Sequence, residues 1–127
     1  MSVRAEVAEK LRTDWADIPA LEDVRVVARE NTLDTPSVPT ALIRHKSITR
    51  SEHAPMSHRD VGLLLTLISP HADLDRAMDQ LEDLADAALD YLKTSDFRHG
   101  EATTADWSDA RLSIDIPLTV FAKKEQE

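Results

Sequence analysis

The sequence predicts an α+β fold in which a mostly antiparallel four- to five-stranded sheet carries two helices packed on one face. Three patterns indicate it. An apolar stripe repeats every four residues near the start of the chain, a longer helical repeat occupies the middle, and apolar and polar residues alternate through residues 110–122. These are the side-chain periods of helix and strand. No repeat or linker divides the 127 residues, so we expect one domain over residues 1–127.

The first element is a short amphipathic helix over residues 3–15. Its apolar stripe consists of Val3, Val7, Leu11 and Trp15. Ser2 is suited to the N-cap position because its hydroxyl can accept a hydrogen bond from a free backbone N–H of the first turn. Pro19 ends the helical region, since a proline restricts the residue before it to extended conformations.

Three strand-like segments follow the first helix. Residues 23–28 are β-branched, residues 40–48 alternate moderately, and residues 60–69 carry apolar residues on both sides. The last pattern predicts a central strand covered on both faces, or by a helix on one face and a subunit partner on the other. The composition of residues 31–39 predicts a loop. The polar residues 49–59 predict an exposed loop or the tip of a hairpin.

The second half of the chain contains the longest elements. Apolar residues at helical spacing predict a helix over residues 73–93, with Asp73 as its N-cap. After a break at residues 95–100, residues 101–107 fit a short strand and residues 110–122 a long one with one buried face. Pro117 donates no backbone hydrogen bond, so the last strand should lie at a sheet edge or be bulged there.

Composition excludes several classes of function. The net charge of −9 argues against binding nucleic acid through its phosphates, which requires clustered basic residues. Without cysteine the chain has no thiolate nucleophile and no disulfide framework. Its two glycines form no phosphate-binding loop, and no nucleophile–base pair can be placed, so we expect no enzymatic activity and no cofactor. The longest apolar run, residues 61–68, is too short to span a bilayer, and we expect no membrane association.

The long helix carries a row of acidic residues. Asp79, Asp83, Asp86 and Asp90 are spaced by four, three and four residues, so they share one helix face. This face is either a solvated surface or a docking surface for a basic partner.

A basic segment contrasts with that helix. Residues 44–59 contain Arg44, Lys46, Arg50 and Arg59 together with three histidines. A charge split of this kind within one small domain suits head-to-tail contacts between copies, although ordinary surface variation also produces it. The histidines, His45, His53 and His58, could in principle bind a metal, but their spacing matches no zinc signature and we expect exposed loop residues.

The order of these elements resembles the tail terminator, or tail-completion, proteins of long-tailed bacteriophages. The similarity covers nearly the whole chain and rests on length, on element order, on the polar segment 49–59 between two strands and on the acidic character. It does not depend on a signature motif.

This resemblance implies a structural virion protein. Members of the family form a homohexameric ring on the head-proximal end of the tail tube, stop tube polymerisation and join the tail to the head-completion proteins of the neck. The expected partners are therefore other copies of the chain, the tail tube protein and a neck protein. DNA would pass through the ring without specific binding. The protein would reside at the neck end of the tail, after assembly in the host cytoplasm.

By the same resemblance, the polar segment 49–59 is expected to contact the tube or a neighbouring subunit, although the proline-containing loop 31–39 could equally be the docking element. The candidate contact residues of the segment 49–59 are Arg50, Glu52, His53 and Arg59. Two other interpretations remain open at this point. One is another phage neck or tail component, such as a head-completion or tube protein. The other is a small bacterial ligand-binding α+β module, which would have a concave apolar pocket.

Overall fold

The computed structural model describes residues 3–28, 38–50, 58–71, 73–95, 97–106 and 112–123. These residues form two helices and a six-stranded, mostly antiparallel sheet, which confirms the predicted α+β class. The elements are α1 (Val3–Trp15), β1 (Arg25–Val27), β2 (Thr40–Arg50), β3 (His58–Ile68), α2 (Leu74–Lys93), β4 (Arg98–His99), β5 (Thr103–Asp106) and β6 (Leu112–Lys123).

The sheet is built around three long strands. Its order is β1-β2-β3-β6-β4, and β5 pairs with β6 on the same side as β4. Only β1 and β2 run parallel, and all other pairs are antiparallel. The prediction that β3 is a central strand is confirmed, since β2 and β6 pair with it along its whole length.

The core lies between the sheet and both helices. Alternate residues of β3 point to this side, and Leu63, Leu65 and Leu67 are fully buried there. They belong to one apolar cluster that also contains Leu11 of α1 and Leu81 of α2. Because both helices contribute to the same cluster, they pack on the same face of the sheet, as predicted.

The start of α2 is fixed by its predicted N-cap. The Asp73 carboxylate accepts hydrogen bonds from the backbone N–H groups of Asp75 and Arg76, at 2.9 and 3.2 Å. These bonds satisfy donors that the first helical turn otherwise leaves free. The apolar stripe begins later than its spacing indicates, however, because Leu74 is 52% exposed and the first buried residue is Ala77.

The two helices also contact each other directly. The rings of Trp15 and Tyr91 meet edge to face, with centroids 6.2 Å apart. Trp15 is buried, so it belongs to the core and not to a surface or interface. In addition, the Arg12 guanidinium donates a hydrogen bond of 2.9 Å to the Val26 carbonyl, which ties α1 to the edge strand β1.

The sixth strand arises from a segment predicted to be a break. Residues Arg98–His99 pair with β6, and Thr103–Asp106 continue the same side of β6 after a one-residue shift in register. That shift is a β-bulge opposite the region of Pro117. The Gly100 N–H donates a hydrogen bond of 2.9 Å to the Pro117 carbonyl. In an antiparallel strand the backbone nitrogen and the carbonyl of one residue point to the same side, so the nitrogen of Pro117, which has no hydrogen to donate, faces the bulged segment and not β3. The expectation that β6 lies at an edge is therefore wrong, while the expected irregularity is present in its partner.

The central hairpin is longer than its polarity predicts. The ladder between β2 and β3 continues to the pair Arg50 and Arg59, so the connecting segment is shortened to residues 51–57. Thr49, which we assigned to a loop, instead pairs with Asp60.

Candidate assembly surfaces

The far end of the central ladder brings basic residues together. Arg50 of β2 and Arg59 of β3 are direct partners in the register, and His58 is the partner of Lys123 on β6. We call Arg50, His58, Arg59 and Lys123 the basic end.

Two predicted contact residues cannot be placed. Glu52 and His53 lie outside the described residues. Of the polar contact residues in the segment 49–59, the described structure therefore places only Arg50 and Arg59, and it places them side by side.

His45 and His58 lie too far apart to form a shared site. His45 is the partner of Leu63, five positions along β3 from His58. At about 3.4 Å per residue these two positions are about 17 Å apart, too far to bind one ion. Within the described residues, no three His, Asp or Glu side chains are placed to hold a metal.

All four predicted aspartates of α2 are exposed. Asp79, Asp83, Asp86 and Asp90 lie opposite the buried face that packs on the sheet. Two bases of α2 flank the row: Arg76 lies one turn before Asp79, and the Lys93 ammonium lies 4.0 Å from the Asp90 carboxylate. Both side chains are largely exposed, so this pair offsets little of the repulsion along the row.

A groove divides these aspartates into two pairs. It has a volume of about 520 Å³ and lies between the C-terminal half of α2 and the segment from β4 to β5. Asp86 and Asp90 line it, whereas Asp79 and Asp83 do not. The remaining lining residues are Leu89, Lys93, His99, Gly100, Glu101 and Ala102.

The groove combines an apolar floor with an acidic rim. Leu89 and Ala102 are half-buried and pack against the main core, and the three carboxylates of Asp86, Asp90 and Glu101 face one ammonium, that of Lys93. Such a lining favours a cationic partner with some apolar surface. Its β4–β5 half was missed by sequence reasoning, because residues 95–100 have no recognisable strand period.

No protein-family model and no curated protein sequence matches this chain. Neither helix of the described structure is both long and apolar enough to cross a lipid bilayer. The function is therefore inferred from the two charged surfaces themselves.

Proposed function

We propose that this protein is a ring-forming structural subunit of a long-tailed bacteriophage. In this role it caps the head-proximal end of the tail tube, stops tube polymerisation and joins the tail to a neck protein. It makes and breaks no covalent bond and uses no cofactor. Its partners are other copies of itself, the tube protein and the neck protein.

One observation carries this proposal. A single domain holds the paired Arg50 and Arg59 at one end of its sheet and an exposed row of aspartates on the outside of α2. Two different, complementary surfaces on one chain support head-to-tail association, and such contacts close into a ring when the rotation between copies permits. The α+β architecture and the element order support the resemblance to tail terminators noted in the sequence.

The net charge is also consistent with a ring that DNA crosses. With −9 per subunit, a ring of these domains carries a strongly negative field. Such a field repels the phosphates of DNA, so the polymer moves through the channel without being held. A basic channel would instead bind the backbone and slow ejection.

The direct experiment is the oligomeric state of the purified chain. Multi-angle light scattering and negative-stain electron microscopy should show a closed ring, a hexamer by the family resemblance, alone or on the end of tail tubes. Monomers at high protein concentration, both alone and with tubes present, would contradict the proposal. Long cylinders would instead identify a tube subunit.

The same assay tests the basic end. Reversing both charges in the double variant Arg50→Glu and Arg59→Glu should weaken assembly while the circular dichroism melt of the monomer stays cooperative. Unchanged assembly in a folded double variant would remove these arginines from the interface.

A further inference from the structure

The groove between α2 and β4–β5 has a specific occupant that the charge pattern identifies. We infer that it receives the basic end of a second copy, with Arg50 and Arg59 of that copy against Asp86, Asp90 and Glu101. This inference rests on the proposed self-association and names the contact that produces it.

The two surfaces cannot meet within one copy. Gly100 on the groove wall is opposite Pro117, and Pro117 is in turn opposite Leu64 of β3. Arg59 lies five residues along β3 from Leu64, which is about 17 Å, and two strand spacings, about 10 Å, across the sheet. These separations exceed the reach of a salt bridge, so a contact between the two surfaces joins different copies.

The charges of the two surfaces are complementary. The groove presents three carboxylates and one ammonium, and the basic end presents two arginines at directly opposed positions. Arginine is the residue suited to this contact, because its planar guanidinium binds carboxylates through two hydrogen bonds. Docking would offset the excess of negative charge in the groove.

The shape of the groove also suits the end of a hairpin. The groove is open on one side, so the end of a hairpin can enter it. Half-buried Leu89 and Ala102 provide apolar surface against which the aliphatic parts of arginine side chains can pack. A row of copies joined in this way has an unoccupied groove at one end and an unoccupied basic end at the other. When these two surfaces meet, the row closes into a ring.

Charge-reversal variants of the full chain test this contact. The groove variant carries Asp86→Lys, Asp90→Lys and Glu101→Lys, and the hairpin variant carries Arg50→Glu and Arg59→Glu. The matched control reverses three exposed acids between α1 and β1, at the sheet edge opposite the groove: Asp17→Lys, Glu22→Lys and Asp23→Lys. It changes the net charge as much as the groove variant does, so it separates a local contact from a general charge effect.

Sedimentation velocity then gives the assembly state of each protein. The groove and hairpin variants should each self-associate at least about tenfold more weakly than the wild type, whereas the control should form wild-type rings. An equal mixture of the groove and hairpin variants should form rings in which the two variants alternate, because every contact then joins either the native pair of surfaces or the charge-reversed pair. A chain carrying both sets of reversals should regain rings.

The outcomes separate this inference from the proposed function. Wild-type rings together with unchanged rings in a folded groove variant overturn the groove contact and leave ring formation standing. Equal loss of assembly in the control and groove variants also overturns it, because the effect is then one of net charge. A wild-type protein that stays monomeric even with tail tubes overturns both.

Discussion

The Tyr91 hydroxyl donates a hydrogen bond of 2.5 Å to the Asp14 carboxylate, joining two helices whose residues are 77 positions apart in the chain. The Lys10 ammonium contacts the same Asp14 oxygen at 3.2 Å. The edge-to-face contact between Trp15 and Tyr91 lies beside this bond. The relative position of α1 and α2 is therefore fixed by a polar and an apolar contact through one tyrosine.

Replacing Tyr91 with phenylalanine should separate these two contributions. The variant keeps the ring against Trp15 and loses only the hydroxyl. Because Asp14 is partly exposed, we expect the free energy of unfolding to fall by about 1 kcal/mol and not by the larger value of a buried charged bond. Urea denaturation measures this difference. Tyr91→Leu, which also removes the ring contact, should cost more, and equal losses in the two variants would contradict this division.

The stability of the protein should depend on pH through the same carboxylate. The Tyr91 hydroxyl lowers the pKa of Asp14 below its usual value, burial opposes this, and Lys10 lowers the pKa further. A carboxyl group with a depressed folded-state pKa stabilises the fold above its unfolded pKa, near 3.9, and that stability is lost as pH falls through the folded pKa.

The difference between wild type and Tyr91→Phe should therefore be fully present near neutral pH and shrink below about pH 4. Unfolding measurements across that range test the sign. A difference that stays constant or grows as the pH falls would show that Asp14 is not responsible.

Replacing the buried Thr66 should reduce the stability of the protein more than the small size of its side chain suggests. On the sheet face away from the helices, Arg44 donates a hydrogen bond of 2.8 Å to the Thr66 hydroxyl, and this hydroxyl donates one of 2.8 Å to Asp115. Thr66 is fully buried, and the bonds connect three adjacent strands, β2, β3 and β6. Thr66→Val keeps the shape and removes both of these bonds, while the direct ion pair between Arg44 and Asp115 at 3.5 Å remains, so we expect a loss of about 1–3 kcal/mol.

The matched control for that substitution is Thr103→Val. Thr103 also lies in a strand that pairs with β6, but it is exposed, so its replacement should change stability by no more than about 0.5 kcal/mol. Chemical denaturation of both variants gives the comparison. Similar effects at the two positions would mean that the bridge at Thr66 contributes nothing beyond β propensity.

Two leucines of α2 should respond very differently to the same change. Leu81 is fully buried in the main core, whereas Leu74 is 52% exposed. Leu81→Ala should cost about 2–5 kcal/mol through lost burial and a residual cavity. Leu74→Ala should change stability by about 0.5 kcal/mol or less. Thermal melts of the two variants test whether the buried face of α2 begins at Ala77. A large loss of stability in Leu74→Ala would show that Leu74 packs against another part of the protein.

The sequence predicted what depends on local pattern. The N-cap at Asp73 and the helix after it follow from signals within a few residues, and so does the alternation that defines β6. The exposure of Leu74 was not predictable in this way, because it depends on how the first turn of α2 extends past the sheet. A helical period identifies a face but not where the sheet beneath it ends.

What depends on long-range register was missed. The two-residue strand β4 has no period of its own, and it exists because β6 offers a pairing edge. The polar residues Arg50 and Arg59 read as loop because their side chains are hydrophilic, yet a ladder is held by backbone bonds that polarity does not prevent. The row of aspartates on α2 was predicted from its spacing. Which of these aspartates line the groove could not be predicted, because this depends on where the segment that contains Glu101 lies beside α2.

Gly100 should be replaceable despite its place in the bulge. A Cβ added there would meet the Pro117 ring at 3.4–3.6 Å, which is ordinary van der Waals contact. The folded chain can therefore accept alanine, while the unfolded chain loses conformational freedom, so Gly100→Ala should be neutral or stabilise by up to about 1 kcal/mol. Denaturation midpoints of the variant test this. A clear loss of stability would show that the bulge beside Pro117 needs a backbone conformation that only glycine adopts, and the wall of the groove would then depend on this residue.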